Sequence, residues 1–298
     1  MGIHQSLYLL SLPSLQKYNP MQNHPSWSPL RITGSFILII LLSVLFIGGI
    51  GVTIAAASYD NLNDPGALRW QQVTSSIGLF LAPPLLLMYW SKLPPGEFLG
   101  LRAAHLKLQH SLFFLLVIIG SFLTIDALAY LNKAVLPDAP WVEALIIQEA
   151  ETKTVINTLL SDMVPLTLLA NAVVMVIVPA VGEELFFRGV IQGLLNQKVN
   201  HHFSIAITAI LFAAVHWQPL SILPIIFMGV VFGYVRHWTK SIWIPIALHF
   251  INNGVALLGA YMNEGTLLEE STLAGSMWSY IGPLLVFTGL YGVYINRK

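Results

Sequence analysis

The sequence contains no cysteine and few charged residues, and these two absences exclude whole classes of protein. Without cysteine the chain has no disulfide, no cysteine-ligated zinc or iron–sulfur site and no thiol nucleophile. Charged residues make up 9% of the 298 positions, against about 25% in an average soluble domain. Lysine plus arginine balances aspartate plus glutamate at 14 each, so no basic field attracts nucleic acid and we expect no such partner. The composition predicts an integral membrane protein.

Long apolar runs recur along the chain. A helix needs about 20 apolar residues to cross the hydrocarbon core of a bilayer, and the sequence offers roughly eight such runs. They predict an all-α fold, a polytopic transmembrane helical bundle with spans near residues 34–58, 72–91, 110–132, 165–195, 203–217, 219–237, 241–262 and 278–296. The fifth run is short and lies close to the sixth, so the two form either a tight hairpin or a partly re-entrant pair.

Basic residues in the connecting segments indicate the orientation, because lysine and arginine are retained on the cytoplasmic side of a membrane. With the N-terminus inside, ten of the 14 lie in inner segments, three lie in outer segments, and Arg188 lies within a span. The inner residues are Lys17, Arg31, Lys92, Arg102, Lys107, Lys198, Arg236, Lys240, Arg297 and Lys298, and the outer ones are Arg69, Lys133 and Lys153. We therefore expect an even number of crossings and both termini in the cytoplasm.

Two segments lie outside the predicted spans. Residues 1–33 lack the pattern of a removable signal peptide, and we expect a cytoplasmic leader. The longest connection, residues 133–164, places Trp141, Ile146 and Val155 among acidic residues. That pattern predicts an amphipathic helix on the outer surface, with a role as a structural cap.

Span four carries three charged residues. A charge at the centre of a bilayer costs about 2.5–3.5 kcal/mol on insertion scales, so it faces the bundle interior and often marks function. Glu184 and Arg188 are four residues apart, on one helix face, and form a pair that either fixes helix packing or supports a site. Glu183 points about 100° away and has no partner in its own helix. It is therefore a candidate general base.

Two later spans carry histidines that accompany these acids. His216 ends span five, and His249 precedes Asn252 and Asn253 in span seven. The spacing of four between His249 and Asn253 presents donors along one helix face, as stabilisation of an oxyanion requires, and Asn252 lies close to that face. Glu183 with His216 would hold and deprotonate a water. Amide hydrolysis at membrane depth is the reaction that this set favours.

A metal is the alternative for the same side chains. Zinc accepts histidine nitrogen and carboxylate oxygen, so Glu183, His216 and His249 are its candidate ligands. The helical H-E-x-x-H signature is missing, and no G-x-S-x-G or S-x-x-K pattern provides a serine route. We expect no cofactor, with a divalent metal such as zinc as the alternative.

These residues resemble the CAAX-protease and bacteriocin-processing (CPBP, or Abi) family of intramembrane endopeptidases, related to the CAAX prenyl proteases. The family pattern is E-E-x-x-x-R, then F-x-x-x-H, then H-x-x-x-N or D. Here it reads Glu183-Glu184 to Arg188, Phe212 to His216, and His249 to Asn253. The resemblance implies a catalytic core over residues 165–260, between N-terminal helices and outer loop at 34–164 and a C-terminal loop and last helix at 261–298.

The resemblance also implies roles and a setting. The residues that match Glu183 and His216 activate water, those that match His249 and Asn253 form the oxyanion site, and Glu184, Arg188, Phe212 and Asn252 support them. The expected protein lies in the bacterial inner (plasma) membrane, surrounded by lipid, and cuts a membrane protein or peptide near the cytoplasmic half of the bilayer. Two alternatives remain open: a proton- or ion-coupled transporter that uses the same side chains, and a non-catalytic member of the fold that binds a partner, such as an immunity protein.

Overall fold

The computed structural model describes residues 28–104, 106–162, 164–263 and 276–297. The described residues form helices and turns, and the nine long helices are numbered here in chain order. They are α1 (Leu30–Ser58), α2 (Pro65–Ser91), α3 (Leu108–Ala134), α4 (Pro140–Leu160), α5 (Pro165–Leu195), α6 (His201–His216), α7 (Pro219–Thr239), α8 (Trp243–Met262) and α9 (Trp278–Ile295). Most of the predicted leader, through residue 27, lies outside the described residues.

Seven of these helices are long and apolar enough to cross a membrane, which confirms the polytopic helical bundle. The fifth predicted run, residues 203–217, forms α6, which has 16 residues and is shorter than the about 20 that a full crossing needs. The spans themselves start and end within a few residues of the predicted positions, except that α2 begins at Pro65 rather than 72. Asp64 caps that start by accepting a hydrogen bond from the Gly66 amide.

Helices α6 and α7 form the tight antiparallel hairpin that was one of the two expected arrangements. Trp217 ends α6 in the left-handed conformation, with φ of 54°, and reverses the chain before Pro219. The two helices touch at Gly229, where an added Cβ would lie 2.8 Å from the Cβ of Ala209. One turn further along, Gly233 meets Ile205 in the same way. These two small residues therefore set the separation of this hairpin.

Helix α4 confirms the helix predicted for residues 133–164. Its side-chain and backbone contacts tie it to the bundle at two points: the Gln148 side chain donates to the Trp217 carbonyl, and the Leu159 carbonyl accepts from Arg69 and Asn171. Beyond it, hydrogen bonds from the Thr167 hydroxyl and the Val164 amide lower the pKa of Asp162. These bonds fix the turn by which the chain enters α5.

Large apolar side chains face outward on the spans, as expected where lipid replaces water around a bundle. Exposed examples are found on α1, α6, α8 and α9, and they include Phe46, Ile210, Phe250 and Phe287. Two interior clusters hold the helices together: one joins α1, α2, α5, α6 and α8, and a second joins α3, α7, α8 and α9. The first cluster packs α5, α6 and α8 against each other, and α8 also belongs to the second.

Candidate active site

Helix α5 presents its charged residues at a change in helical geometry. The backbone is α-helical from Val178 to Glu183 and becomes π-helical from Glu184 to Ile191, with i→i+5 hydrogen bonds. Such turns occur often at functional sites, where they re-aim side chains. Both acids and Arg188 are buried, so each needs an interior partner or a solvated cavity.

Glu184 and Arg188 form the ion pair that their spacing predicted. Glu184 Oε1 lies 2.8 Å from Arg188 Nη1, and both side chains are fully buried. Arg188 Nη2 also donates to the Gly229 carbonyl on α7 at 3.2 Å, and its guanidinium lies 4.4 Å from the ring centroid of Phe212. The arginine thus connects α5, α6 and α7, and its charge is balanced by one carboxylate and two aromatic faces, of which the second is Phe232.

Glu183 points away from that pair and towards His216. Its Oε2 atom lies 3.7 Å from His216 Nε2, and it has no hydrogen-bond partner among the described residues. His216 Nδ1 lies 2.6 Å from the Phe212 carbonyl, which can only accept, so Nδ1 carries a proton. In the neutral ring Nε2 is then an acceptor that faces a carboxylate oxygen. Two acceptors at 3.7 Å are suited to bind one water between them, since each can accept one of its protons.

His249 lies on the other side of Glu183, with its Nε2 4.0 Å from Glu183 Oε2. Its Nδ1 lies 3.1 Å from Glu184 Oε1, so the ring donates to the carboxylate that also holds Arg188. The neutral ring would accept at Nε2, and it donates there only when both nitrogens carry protons. Asn253 follows one turn later and its amide donates to the Met175 carbonyl at 3.3 Å.

The remaining predicted residues occupy different positions. Phe212 packs behind the site, between Arg188 and His216. The Asn252 amide donates to Asn253 Oδ1, but Asn252 lines a separate small cleft beside α3 and not the cavity that contains Glu183. Asp126, an acid of α3 that belongs to no motif, is partly buried and does not line that cavity.

A cavity of about 610 Å³ contains the site. Glu183, His216, His249 and Asn253 all line it, so three separate helices deliver the predicted residues to one space. No sequence pattern indicated the other polar lining groups, which are Gln72 and Ser76 on α2, Thr152 on α4, and Gln218. They belong to no motif, and their contribution depends on how α2 and α4 pack against α5 and α8.

Glu183, His216 and His249 are also the candidate ligands of the metal alternative. Among the described residues, no group of three or more histidine, cysteine or acidic side chains is placed so that it could hold a metal ion. One ring nitrogen of His216 contacts the Phe212 carbonyl and one of His249 contacts Glu184, and the other nitrogen of each ring lies 3.7 or 4.0 Å from Glu183 Oε2. A divalent metal stays the alternative prediction for these three side chains.

Comparison with known families agrees with this geometry. The family described as Type II CAAX prenyl endopeptidase Rce1-like matches residues 165–255. The chain is similar to this family over that segment, which comprises α5, α6, α7 and most of α8. The segment includes every site residue predicted from the motifs, which confirms the resemblance expected from them.

Two curated bacterial proteins are similar to the chain. "Putative membrane peptidase YdiL" of Bacillus subtilis (strain 168) is 30% identical over 109 residues, which cover 37% of this chain and 43% of that protein. "Membrane-embedded CAAX protease MroQ" of Staphylococcus aureus (strain USA300) is 29% identical over 108 residues, covering 34% and 43%. The match thus spans less than half the length of either relative. No solved structure matches the chain significantly.

Helices α2 and α4 lie outside the matched segment yet contribute to the cavity. Gln72, Ser76 and Phe80 of α2 and Thr152 of α4 complete the cavity wall, and Phe80 also packs edge-on against Phe186. The matched segment carries the predicted site residues, and the two earlier helices shape the space around them.

Proposed function

We propose that the chain is an intramembrane endopeptidase of the CAAX-protease type, which hydrolyses a peptide bond of a membrane-associated protein or peptide by a glutamate-activated water. One observation carries the proposal: a buried carboxylate oxygen of Glu183 has no protein partner among the described residues and lies 3.7 Å from His216 Nε2 in a cavity. A buried acceptor of this kind needs a partner, and a water satisfies both groups.

The reaction follows from this placement. Glu183 removes a proton from the bound water as the water oxygen attacks the peptide carbonyl carbon, and the carbonyl electron pair moves to its oxygen. The protonated Glu183 gives its proton to the amide nitrogen as the tetrahedral intermediate reforms the carbonyl and the C–N bond breaks. The amine leaves and the Glu183 carboxylate is regenerated. His216 positions the water through Nε2.

Donors for the developing oxyanion come from α8. His249 and Asn253 lie one turn apart and both line the cavity. The contact of Nδ1 with Glu184 Oε1 holds the His249 ring so that Nε2 faces the cavity, where we place the donor to the oxyanion. Positioned donors in a site with little water are worth about 2.7–4 kcal/mol each in transition-state stabilisation.

The proposed setting is the inner membrane of a bacterium, with both termini in the cytoplasm and lipid around the spans. Glu183 lies past the middle of α5, and His249 lies in the first half of α8. With the orientation indicated by the basic residues, both positions are on the cytoplasmic side of the bilayer midplane or close to it. The substrate is a membrane protein or peptide whose cut bond reaches that depth.

The test compares membrane proteomes of cells that carry the wild-type chain, Glu183→Gln or Asp126→Asn. Glu183→Gln keeps the size of the side chain and removes the base, so fragments present with wild type should disappear, with cleavage reduced about 10²–10⁴-fold. Asp126→Asn removes another acid of a span, outside the cavity, and should leave the fragments unchanged. Equal fragment levels with Glu183→Gln, at equal protein level, would refute the proposal and favour a transporter or a non-catalytic binding protein.

A further inference from the structure

The cavity that contains Glu183 extends towards one end of the bundle. From Glu183 and His249 its lining continues to Gln218 in the turn between α6 and α7, to Gln72 near the start of α2, and to Thr152 on α4. All three of these residues belong to the end of the bundle at which α4 lies. Residues of the opposite end, where α5 ends and α6 begins, do not contribute to the lining.

The two ends of the bundle differ in charge. In the described segments at the α4 end, acids outnumber bases, with Asp60, Asp64, Asp138, Glu143, Glu149, Glu151 and Asp162 against Arg69, Lys133 and Lys153. At the other end the described residues are Arg31, Lys92, Arg102, Lys107, Lys198, Arg236, Lys240 and Arg297 with a single acid, Glu97. Because basic residues are retained in the cytoplasm, the α4 end faces outward.

Helix α4 forms the outer wall of the cavity. The Gln148 amide donates to the Trp217 carbonyl at 3.2 Å, and Arg69 and Asn171 donate to the Leu159 carbonyl at 3.0 and 2.8 Å. Between these two attachment points, Thr152, Val155 and Ile156 line the space above Glu183. The helix expected to act as a structural cap therefore also borders the route to the site.

The polar groups along this route are uncharged. Gln72, Ser76, Thr152, Gln218 and Asn253 offer amide and hydroxyl groups, which can hydrogen-bond a peptide backbone. No lysine or arginine is found among the described residues that line the cavity. A substrate with a free C-terminal carboxylate would bring that charge close to Glu183, and no lysine or arginine of the described lining would balance it. An internal, uncharged segment brings no such charge.

We propose that the catalytic cavity is loaded from the outer face of the membrane, past α4, by an uncharged extended segment within a membrane-anchored polypeptide. This proposal rests on the proposed endopeptidase function for its chemistry, but the direction of access depends only on the cavity and the charge distribution. The substrate class is then a polypeptide that exposes its cut region on the outer side before cleavage.

The absence of native cysteine permits a direct test. Four single-cysteine variants measure accessibility. Thr152→Cys and Gln218→Cys probe the α4 end of the cavity, which is called its mouth here. Asn63→Cys probes the outer surface, and Ala103→Cys probes the inner surface. Each is treated with a membrane-impermeant maleimide in right-side-out and in inverted membrane vesicles. We expect Thr152→Cys and Gln218→Cys to be labelled with Asn63→Cys in right-side-out vesicles, and Ala103→Cys only in inverted ones. Labelling of the mouth positions only in inverted vesicles would overturn the proposal.

A second measurement links access to turnover. A bulky impermeant maleimide added outside to cells with Thr152→Cys should stop the release of the fragments that depend on Glu183, whereas Asn63→Cys cells, treated alike, should continue. Continued release from fully labelled Thr152→Cys would exclude this route. The labelling pattern does not depend on cleavage, so it tests the side of access by itself. The Glu183→Gln comparison tests the endopeptidase proposal, and the two proposals can therefore fail separately.

Discussion

Glu184 and His249 are joined by a hydrogen bond of 3.1 Å between Oε1 and Nδ1, and the same oxygen lies 2.8 Å from Arg188 Nη1. One carboxylate oxygen therefore fixes both the arginine that ties α5 to α7 and the histidine that faces Glu183. Because these groups are buried, the balance of their charges matters more to stability than the same contacts would on a surface.

Removal of one member of this pair should destabilise the fold strongly. Arg188→Met leaves Glu184 as an uncompensated buried charge, and we expect a loss of about 3–5 kcal/mol in the free energy of unfolding. The double variant Glu184→Gln with Arg188→Met removes both charges and should recover much of that loss. Thermal unfolding in detergent measures both. If the two variants unfold at the same temperature, charge balance does not govern this pair.

The hairpin of α6 and α7 should tolerate no side chain at Gly229. Gly229→Val places a Cβ 2.8 Å from that of Ala209 and 2.9 Å from its Cα, so α6 must move, at a cost of about 1–3 kcal/mol. Phe212 and His216 move with α6, so cleavage should fall as well. Gly254→Ala is the matched control, because its Cβ would meet only Val176, at 3.9 Å. Comparable losses of stability in the two variants would contradict this account.

The two histidines of the site should both be needed for cleavage. His216→Leu removes the acceptor proposed to position the water, and His249→Leu removes the imidazole proposed to donate to the oxyanion. We expect each to lower the rate of fragment formation about 10²-fold or more at unchanged protein level. His202→Ala, outside the cavity, is the control. Full activity of either site variant would remove that residue from the mechanism.

The reaction should not require a divalent metal. We expect fragment formation by purified protein to persist after treatment with a strong zinc chelator, and metal analysis to find less than one bound ion per chain. A zinc peptidase treated in parallel shows that the chelator is effective. Loss of activity that added zinc restores would instead establish the metal alternative, with Glu183, His216 and His249 as ligands to examine first.

The spacing of Glu184 and Arg188 was sufficient to predict their ion pair. Side chains four residues apart lie on one face of a helix, so they can contact each other without help from the tertiary packing. The gathering of Glu183, His216 and His249 could be expected from the motif order, but not from any local rule. Their distances depend on the packing of α5, α6 and α8, which apolar composition does not specify.

Other features carried no readable signal. The end of α6 at His216 depends on Trp217 in the left-handed conformation, which tryptophan adopts only where the surrounding structure holds it. Gln72 and Thr152 resemble ordinary polar residues near span ends, and only the packing of α2 and α4 places them in the cavity. The conformation of the turn after α6 and the entry of these two side chains into the cavity were therefore beyond prediction from periodicity and composition.

The π-helical stretch Glu184–Ile191 constrains chain length as well as residue identity. A turn closed by i→i+5 bonds accommodates one residue more than an α-turn, so it is equivalent to a single-residue insertion. Deletion of one residue there would rotate the rest of α5 by about 100° relative to Glu183. Gln192, which donates to the Gly233 carbonyl at 3.1 Å, would then lose its register with α7. A homologue one residue shorter in this turn would have to join these two helices through a different set of side chains.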